Sequence, residues 1–317
     1  MANGIQWGGK RYHPFGTYLR GRFGRRVWKV AVDAGMTCPN RDGTLGTGGC
    51  TYCRREAHLP SGSTPPPVEE QIADGIERLR SLRKAERFIV YFQAGTNTYA
   101  PAKELRKLYD LVRLFDGVVG LAVGTRPDCL GDGVLDLLEG YTADYEVWLE
   151  LGLQSAHDTT LRAINRGHDV AAFLDAYRRA QRRPLKLCVH VILGLPGEGR
   201  DRILETVRLL AALRPEGVKL HPLQVLRGTP LEKNYLSGGF EALGFEEYVG
   251  LACDALELLP PETTIQRLTA EAPPELLLAP DWCADKRAVL AAVDAELGRR
   301  DTRQGSRLEE SVVDGRR

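Results

Sequence analysis

The 317-residue chain is short of several things, and each shortage excludes a class of function. No apolar run approaches the roughly 20 consecutive residues that a membrane-spanning helix needs, so no membrane partner is expected. The N-terminus has no apolar stretch of signal-peptide type. Neither sign of charge is in excess: a net charge of +1 carries no global signature of nucleic-acid binding. Of the seven cysteines, Cys129, Cys188, Cys253 and Cys283 have no paired spacing, and the total is odd, which argues against a disulfide framework. These four read as small buried hydrophobes. Together the absences place the chain in a reducing cytoplasm, where thiolates stay available for metal.

The sharpest local shortage is of acid, because residues 1–32 contain no Asp or Glu. They carry instead Lys10, Arg11, Arg20, Arg22, Arg25, Arg26 and Lys29, interleaved with Trp7, Tyr12, Phe15, Tyr18, Phe23 and Trp28. Basic side chains neutralise phosphates and aromatic faces stack on unpaired bases, so an arm of residues 1–26 is suited to a single-stranded loop of RNA. The same residues equally describe a segment that packs its aromatics beneath a barrel. At the other end, residues 299–317 are polar, charged and without periodicity, and are expected to form a disordered tail.

What the chain does have is a concentration of thiols after its first apolar run: Cys38, Cys50 and Cys53, spaced C-x11-C-x2-C. Iron–sulfur clusters are normally held by four thiolates, so three on one loop leave one iron open for a small molecule to chelate. A structural zinc site is the alternative, with His58, five residues beyond Cys53, completing a Cys3His set.

Elsewhere, apolar runs of strand length alternate with amphipathic helices. Strands are expected at Val27 to Val32, Phe88 to Phe92, Val118 to Val123, Tyr145 to Leu151, Leu187 to Leu193 and Val218 to Val225. Between the first two, Val68, Ile72, Ile76, Leu79 and Leu82 recur at helical spacing. Six such repeats imply a parallel sheet, which right-handed crossovers curl into a partial (β/α)6 TIM-like barrel, an α/β fold over residues 27–240. A C-terminal extension, residues 241–298, holds two helical stretches and the short run Thr264 to Leu268, expected to pack on the barrel's side or floor.

In such a barrel the site forms at the carboxyl edge of the strands. The chain places there the cysteine loop, Gln93-Ala94-Gly95-Thr96-Asn97-Thr98, Gly124-Thr125-Arg126-Pro127-Asp128, Glu150 to Ser155, His190 to Glu198 and His221-Pro222-Leu223-Gln224. With these words in this order the chain resembles the radical S-adenosylmethionine (SAM) superfamily. Within it, the resemblance is to the YhcC/YtqA type, whose barrel is similar to the radical SAM part of the elongator catalytic subunit. The likeness runs from about Lys10 to Trp282, with CPNRDGTLGTGGCTYC, YFQAGTNTYAP, GTRPDCL, LGLQS, INRGH, ILGLPGE and IQRLTAEAPPELLLAP as markers. A zinc knuckle gives no reason for the polar strand ends.

The resemblance implies that Cys38, Cys50 and Cys53 ligate a [4Fe–4S] cluster and that SAM binds beside it. Tyr52 matches the aromatic near the adenine, and Ala94 and Gly95 the motif that approaches the methionine amino group. Gln154 and Arg166 match the Gln and Arg that bond the ribose and clamp the carboxylate. The pattern departs at Gly124, where several groups have Glu, and at His190, where Asp is frequent; Glu150 is a candidate for the missing carboxylate. Arg126 is a further candidate contact, with a structural salt bridge as the plain alternative, and His190 has the alternative of a satisfied core histidine.

The implied chemistry is reductive cleavage of SAM to a 5′-deoxyadenosyl radical, fed by an electron donor such as flavodoxin or ferredoxin. The elongator likeness implies tRNA as partner and the C5 side chain of a wobble uridine as target. With no room for an acetyltransferase domain, conversion of an existing side chain is the expected outcome. Two alternatives remain. One is a small-molecule substrate, favoured if the arm folds into the barrel with its arginines salt-bridged; the other is a non-catalytic, metal-stabilised RNA-binding module.

Overall fold

The computed structural model describes residues 7–54 and 65–308. In chain order the elements begin α1 (Phe15–Phe23), β1 (Val27–Val32), α2 (Val68–Arg83), β2 (Arg87–Phe92), α3 (Ala102–Tyr109), β3 (Val118–Thr125), α4 (Asp132–Glu139) and β4 (Glu146–Gln154). They continue with α5 (Asp158–Ala163), α6 (Val170–Gln181), β5 (Lys186–Leu193), α7 (Arg200–Leu213), β6 (Gly217–Pro222), β7 (Val225–Leu226) and α8 (Pro230–Leu236). The last are α9 (Phe245–Leu258), β8 (Thr264–Arg267), β9 (Leu277–Ala279) and α10 (Lys286–Arg299). The main sheet has the order β1-β2-β3-β4-β5-β6-β8, and every pairing in it is parallel. It is the curled α/β half-barrel that the βα alternation implies.

Side chains alternate between the two faces of each strand, and here both faces are buried. Outward residues Val147, Leu149, Leu151 and Leu153 of β4 and Leu187, Val189, Val191 and Leu193 of β5 meet the surrounding helices in the main core. Burying a side chain of this size contributes about 1.5–3 kcal/mol. Inward residues are of another kind. Ile89, Ala122, Trp148 and Cys188 form a second apolar cluster inside the barrel, closed by Phe15 and Leu19 of α1.

Thr264 to Arg267 does not pack on the barrel's side or floor. It is the seventh parallel strand, with Thr264 opposite Gly217 and Ile265 opposite Val218. Helix α9 serves as its crossover, and a strand of four residues is too short to show alternation in sequence. The expected strand Val218 to Val225 ends early: β6 stops at Pro222, and Val225 and Leu226 pair antiparallel with β9.

Helix α1 lies under the amino end of the barrel. Phe15 meets Trp148 edge-on at a ring separation of 5.0 Å, the Tyr18 hydroxyl donates to Glu146 at 3.0 Å, and the backbone N–H of Ile265 donates to the His13 carbonyl at 2.7 Å. Arg22 pairs with Glu146 at 3.2 Å, Arg25 with Glu86 and Lys10 with Asp294; Arg26 lies 3.7 Å over the Trp28 ring. The described part of the arm, residues 7–26, packs its aromatics beneath the barrel, the alternative stated for it, while Arg22, Arg25 and Lys10 stay about half exposed. These cations are engaged by the barrel floor, at the end of the strands opposite the cysteine loop.

The disordered tail is corrected for residues 299–308. Arg300 donates to Asp254 at 2.8 Å and to Glu296 at 2.7 Å, and the buried Gln304 amide donates to Pro260 O at 2.6 Å and Thr263 O at 2.8 Å. Gln304 also accepts from the His13 N–H at 2.8 Å, so the two ends of the described chain meet. Residues 309–317 lie outside the described residues, as do residues 1–6 of the arm. Cys188, Cys253 and Cys283 are buried as expected, but Cys129 is only half-buried, on the loop after β3. Among the described residues no helix is long and apolar enough to cross a membrane.

Candidate active site

The loop after β1 is held over the carboxyl ends of the strands by backbone contacts. Thr96 N–H donates to Thr37 O at 3.1 Å, Thr51 N–H to Ile164 O at 2.9 Å, and the Asn165 side-chain amide to Gly49 O at 2.7 Å. At Gly95 (φ 77°) a Cβ would lie 2.3 Å from the Met36 carbonyl oxygen, so only glycine permits β2 and the cysteine loop to approach this closely. Cys38, Cys50 and Cys53 thereby line one cavity of about 220 Å³.

Tyr52, Gly95, Arg126, Glu150, Gln154 and Arg166 line the same cavity, as do Gly124 and His190, where the chain departs from the family pattern. Ala94 is buried and is not among the lining residues. Nine of the ten candidate residues, drawn from four strand ends and the INRGH segment, are thus brought to one place.

Arg166 is the electrostatic centre of that place. It donates to Gly152 O at 2.8 Å and to the Cys50 sulfur at 3.6 Å, and a Cβ on residue 152 would come within 2.6 Å of its Nη2. Burial alone would push the Cys50 thiol up; Arg166, through charge and hydrogen bond, and Arg126 outweigh it and hold the thiol below its usual value. Cys53 is pushed up by burial and by the neighbouring Cys50. Arg126 makes a bidentate pair with Asp128 at 3.0 and 2.8 Å, the structural salt bridge allowed for it. Yet Arg126 Nη1 and Arg166 Nε are buried and without a hydrogen-bond partner among the described residues. Gln154, at the β4 bulge, adopts φ 74°, a left-handed conformation that costs a residue with a side chain of order 1–3 kcal/mol.

Below the cavity the barrel interior is charged. Glu150 is buried and accepts from Lys29 at 3.0 Å, from His190 Nε2 at 2.8 Å and from Lys219. Lys219 also donates to the Tyr91 hydroxyl at 3.0 Å. Burial would raise the Glu150 carboxyl, but Lys219 and Lys29 hold it well below the carboxylate range. His190 is pushed down to about 4 by burial and by Lys219, and His221 goes well below its ordinary value by burial and by His190. With Glu150 occupied by three partners, it is a fixed counter-charge to the lumen cations.

A second cavity, also about 220 Å³, shares Tyr52, Cys53, Tyr91, Gln93, Gln154 and His190 with the first. Its far wall adds Lys219, His221, Gln224 and Arg267. Lys29, Tyr91, Lys219 and Arg267 were not candidates from the sequence. Their signal was available: Lys29 in Val27–Val32 and Lys219 in Gly217–Pro222 are charged residues inside largely apolar strands.

The residues present fit a [4Fe–4S] cluster with SAM. Three cysteines border one cavity, and the two unpartnered guanidinium nitrogens belong to side chains on its wall, where a carboxylate would satisfy them. A mononuclear zinc site needs its ligands to converge on one ion, and among the described residues no three His, Cys, Asp or Glu side chains do so. In a four-iron cluster each thiolate takes its own iron and no such convergence is required. His58 lies outside the described residues.

The Radical SAM superfamily model matches residues 42–210, more than half of the chain, and the Radical_SAM C-terminal domain model matches residues 215–299. The chain therefore belongs to the radical SAM superfamily and is a radical SAM enzyme, of a superfamily that uses a [4Fe–4S] cluster and SAM. Within the superfamily it falls with the YhcC/YtqA type: it is 42% identical to the uncharacterized protein YtqA of Bacillus subtilis over 305 residues, 95% of each chain. It is 33% identical to Elongator complex protein 3 of Mus musculus over 170 residues, 52% of this chain and 30% of that one. In fold it resembles the archaeal Elp3 of Methanocaldococcus infernus, with a TM-score of 0.67 at 19% identity, over 88% of this chain and 64% of that one.

Proposed function

We propose that this enzyme converts an existing C5 side chain on a wobble uridine of tRNA. In this reading Cys38, Cys50 and Cys53 ligate the cluster through three of its irons, while Arg166 and Gln154 hold the carboxylate and ribose of SAM. When bound, cluster and SAM supply a 5′-deoxyadenosyl radical. The chain's own residues bind and orient. Tyr52 bounds both cavities and lies beside the adenine; Gly95 lets the backbone close on the methionine amino group. Arg166 lowers the Cys50 thiol and so keeps it a ligand. The apolar floor of Phe15, Ile89 and Trp148 keeps water out from below.

The observation that carries the reading is the adjacency of the two cavities: the first is bordered by the cysteines, and the second shares with it the wall residues Tyr52, Cys53, Tyr91, Gln93, Gln154 and His190. A substrate group in the second is in reach of a radical made in the first. The choice of tRNA is supported by the sequence likeness to Elongator complex protein 3. The test is a comparison of modified nucleosides in tRNA from cells with and without the gene. One wobble nucleoside should disappear and a precursor with the unconverted side chain accumulate; identical profiles would remove tRNA as substrate.

A small-molecule substrate is the second reading, and one observation favours it: Arg22 and Arg25 of the arm are paired with barrel acids, and Lys10 with Asp294 of α10. A small metabolite accumulating in cells that lack the gene, with tRNA unchanged, would select it.

A further inference from the structure

The marker word IQRLTAEAPPELLLAP has no role in the reading above, yet it places Arg267 at the end of β8, opposite Lys219 in the ladder and on the wall of the second cavity. The half-buried Arg267 side chain forms no hydrogen bond or salt bridge among the described residues. Glu271, which lines the same cavity and feels the charge of Arg267, is paired with Lys286 at 2.8 Å. The other carboxylate of this lumen, Glu150, already answers to Lys29 and Lys219. Arg54 also lines the cavity, donating to the Arg227 carbonyl.

Positive charge is therefore in excess here. Burial chiefly keeps His190 and His221 unprotonated, and Lys219 and Arg267 act in the same direction. A guanidinium on a cavity wall with no carboxylate of its own is suited to bidentate capture of an oxyanion. We propose that the second cavity is an anion subsite in which Arg267, beside Lys219, grips a carboxylate or phosphate of the substrate and so sets which substrates enter. The subsite holds for either substrate class; only its description as a substrate site rests on the first cavity being that of SAM.

The test uses the reconstituted holoenzyme with SAM at saturation, so that the first cavity is filled. Glycolate is titrated in one arm and inorganic phosphate in the other, and the heat of binding is followed. Saturable binding of one of the two is expected, and the arm that binds identifies the group. Arg267→Gln should weaken it about tenfold or more, the cost of a lost charge-assisted hydrogen bond, while Arg267→Lys retains most of it. Thermal unfolding confirms that each variant is folded; if Arg267→Gln is not, the comparison is made with Arg267→Met. Binding of neither anion, or unchanged binding by the neutral variant, overturns the proposal. A third arm uses tRNA from cells lacking the gene, where the neutral variant should raise KM by a similar factor. Should the native enzyme leave that tRNA unmodified, the tRNA reading falls, while the anion arms still decide the subsite.

Discussion

The two ends of this barrel use the same residue types to opposite ends. At the floor, Arg22, Arg25 and Lys10 each meet an acid, and Phe15 and Tyr18 both meet Trp148 edge to face. At the mouth, Arg126 and Arg166 keep a buried nitrogen each without a partner, and Arg267 has no acid of its own. Density of cations and aromatics along the chain points to the floor; unfinished pairing points to the mouth. The difference teaches that a cation free to take a ligand is marked by what it lacks. An exposed pair contributes about 0–1 kcal/mol, whereas an unsatisfied buried donor costs about 1–3 kcal/mol or more until a ligand arrives.

The cysteines draw the contrast most strongly. Replacing Cys38, Cys50 or Cys53 with Ala is expected to abolish both the cluster and reductive SAM cleavage. Cys253→Ala, in the core between α9 and α10, should leave both in place. Iron content and 5′-deoxyadenosine formation in anaerobically reconstituted protein check this, and a full cluster in the Cys50→Ala protein would break the comparison.

Next in size is the lumen charge between the two ends. Glu150→Gln leaves Lys29 and Lys219 without their counter-charge, and breaking a buried pair in this way costs about 3–5 kcal/mol. The midpoint of denaturant unfolding should fall accordingly. A midpoint equal to that of the native protein would mean that water, not Glu150, balances the lumen.

At the mouth, Gln154→Ala and Arg166→Ala should each weaken SAM binding about tenfold or more, since each removes a polar or charge-assisted contact. Equilibrium binding of SAM to the reconstituted proteins reads the effect. Unchanged affinity in both would reassign the first cavity.

The pH dependence follows from the same lumen. His190 titrates near 6.5 when unfolded and about 4 when folded, so the folded state refuses a proton that the unfolded chain accepts. Its contribution to stability is complete above pH 6.5 and is lost as pH falls toward 4. Glu150, also depressed, adds a loss in the same direction below its ordinary value of 4.5. Thermal unfolding across this window should show a shallower decline for His190→Gln than for the native chain.

The smallest effect belongs to the floor. The combined change of Arg22, Arg25 and Arg26 to Ala removes exposed pairs and one cation–π contact, and should alter stability by only about 1–2 kcal/mol. Binding of tRNA and its salt dependence should be unaffected. A flatter salt response would restore the arm as an RNA contact.

Much of this was legible in the chain. The alternation of apolar runs with helical spacing determined a parallel α/β barrel, because strand and helix periods are local properties of residue order. The C-x11-C-x2-C spacing and the polar words at strand ends determined where the site would be, since the carboxyl edge of such a barrel is fixed by topology. Tertiary structure alone decided the rest. Which cations are spent on neighbours and which are held back depends on residues more than a hundred positions apart, as with Arg22 and Glu146, or Lys29 and Glu150. A seventh strand of four residues carries no period of its own and exists because β6 offers it an edge. The order of residues 299–308 comes from Asp254, Glu257 and His13, reached only once the chain has folded. Pairing is a property of the assembled fold, and it is pairing that separates the floor of this enzyme from its candidate active site.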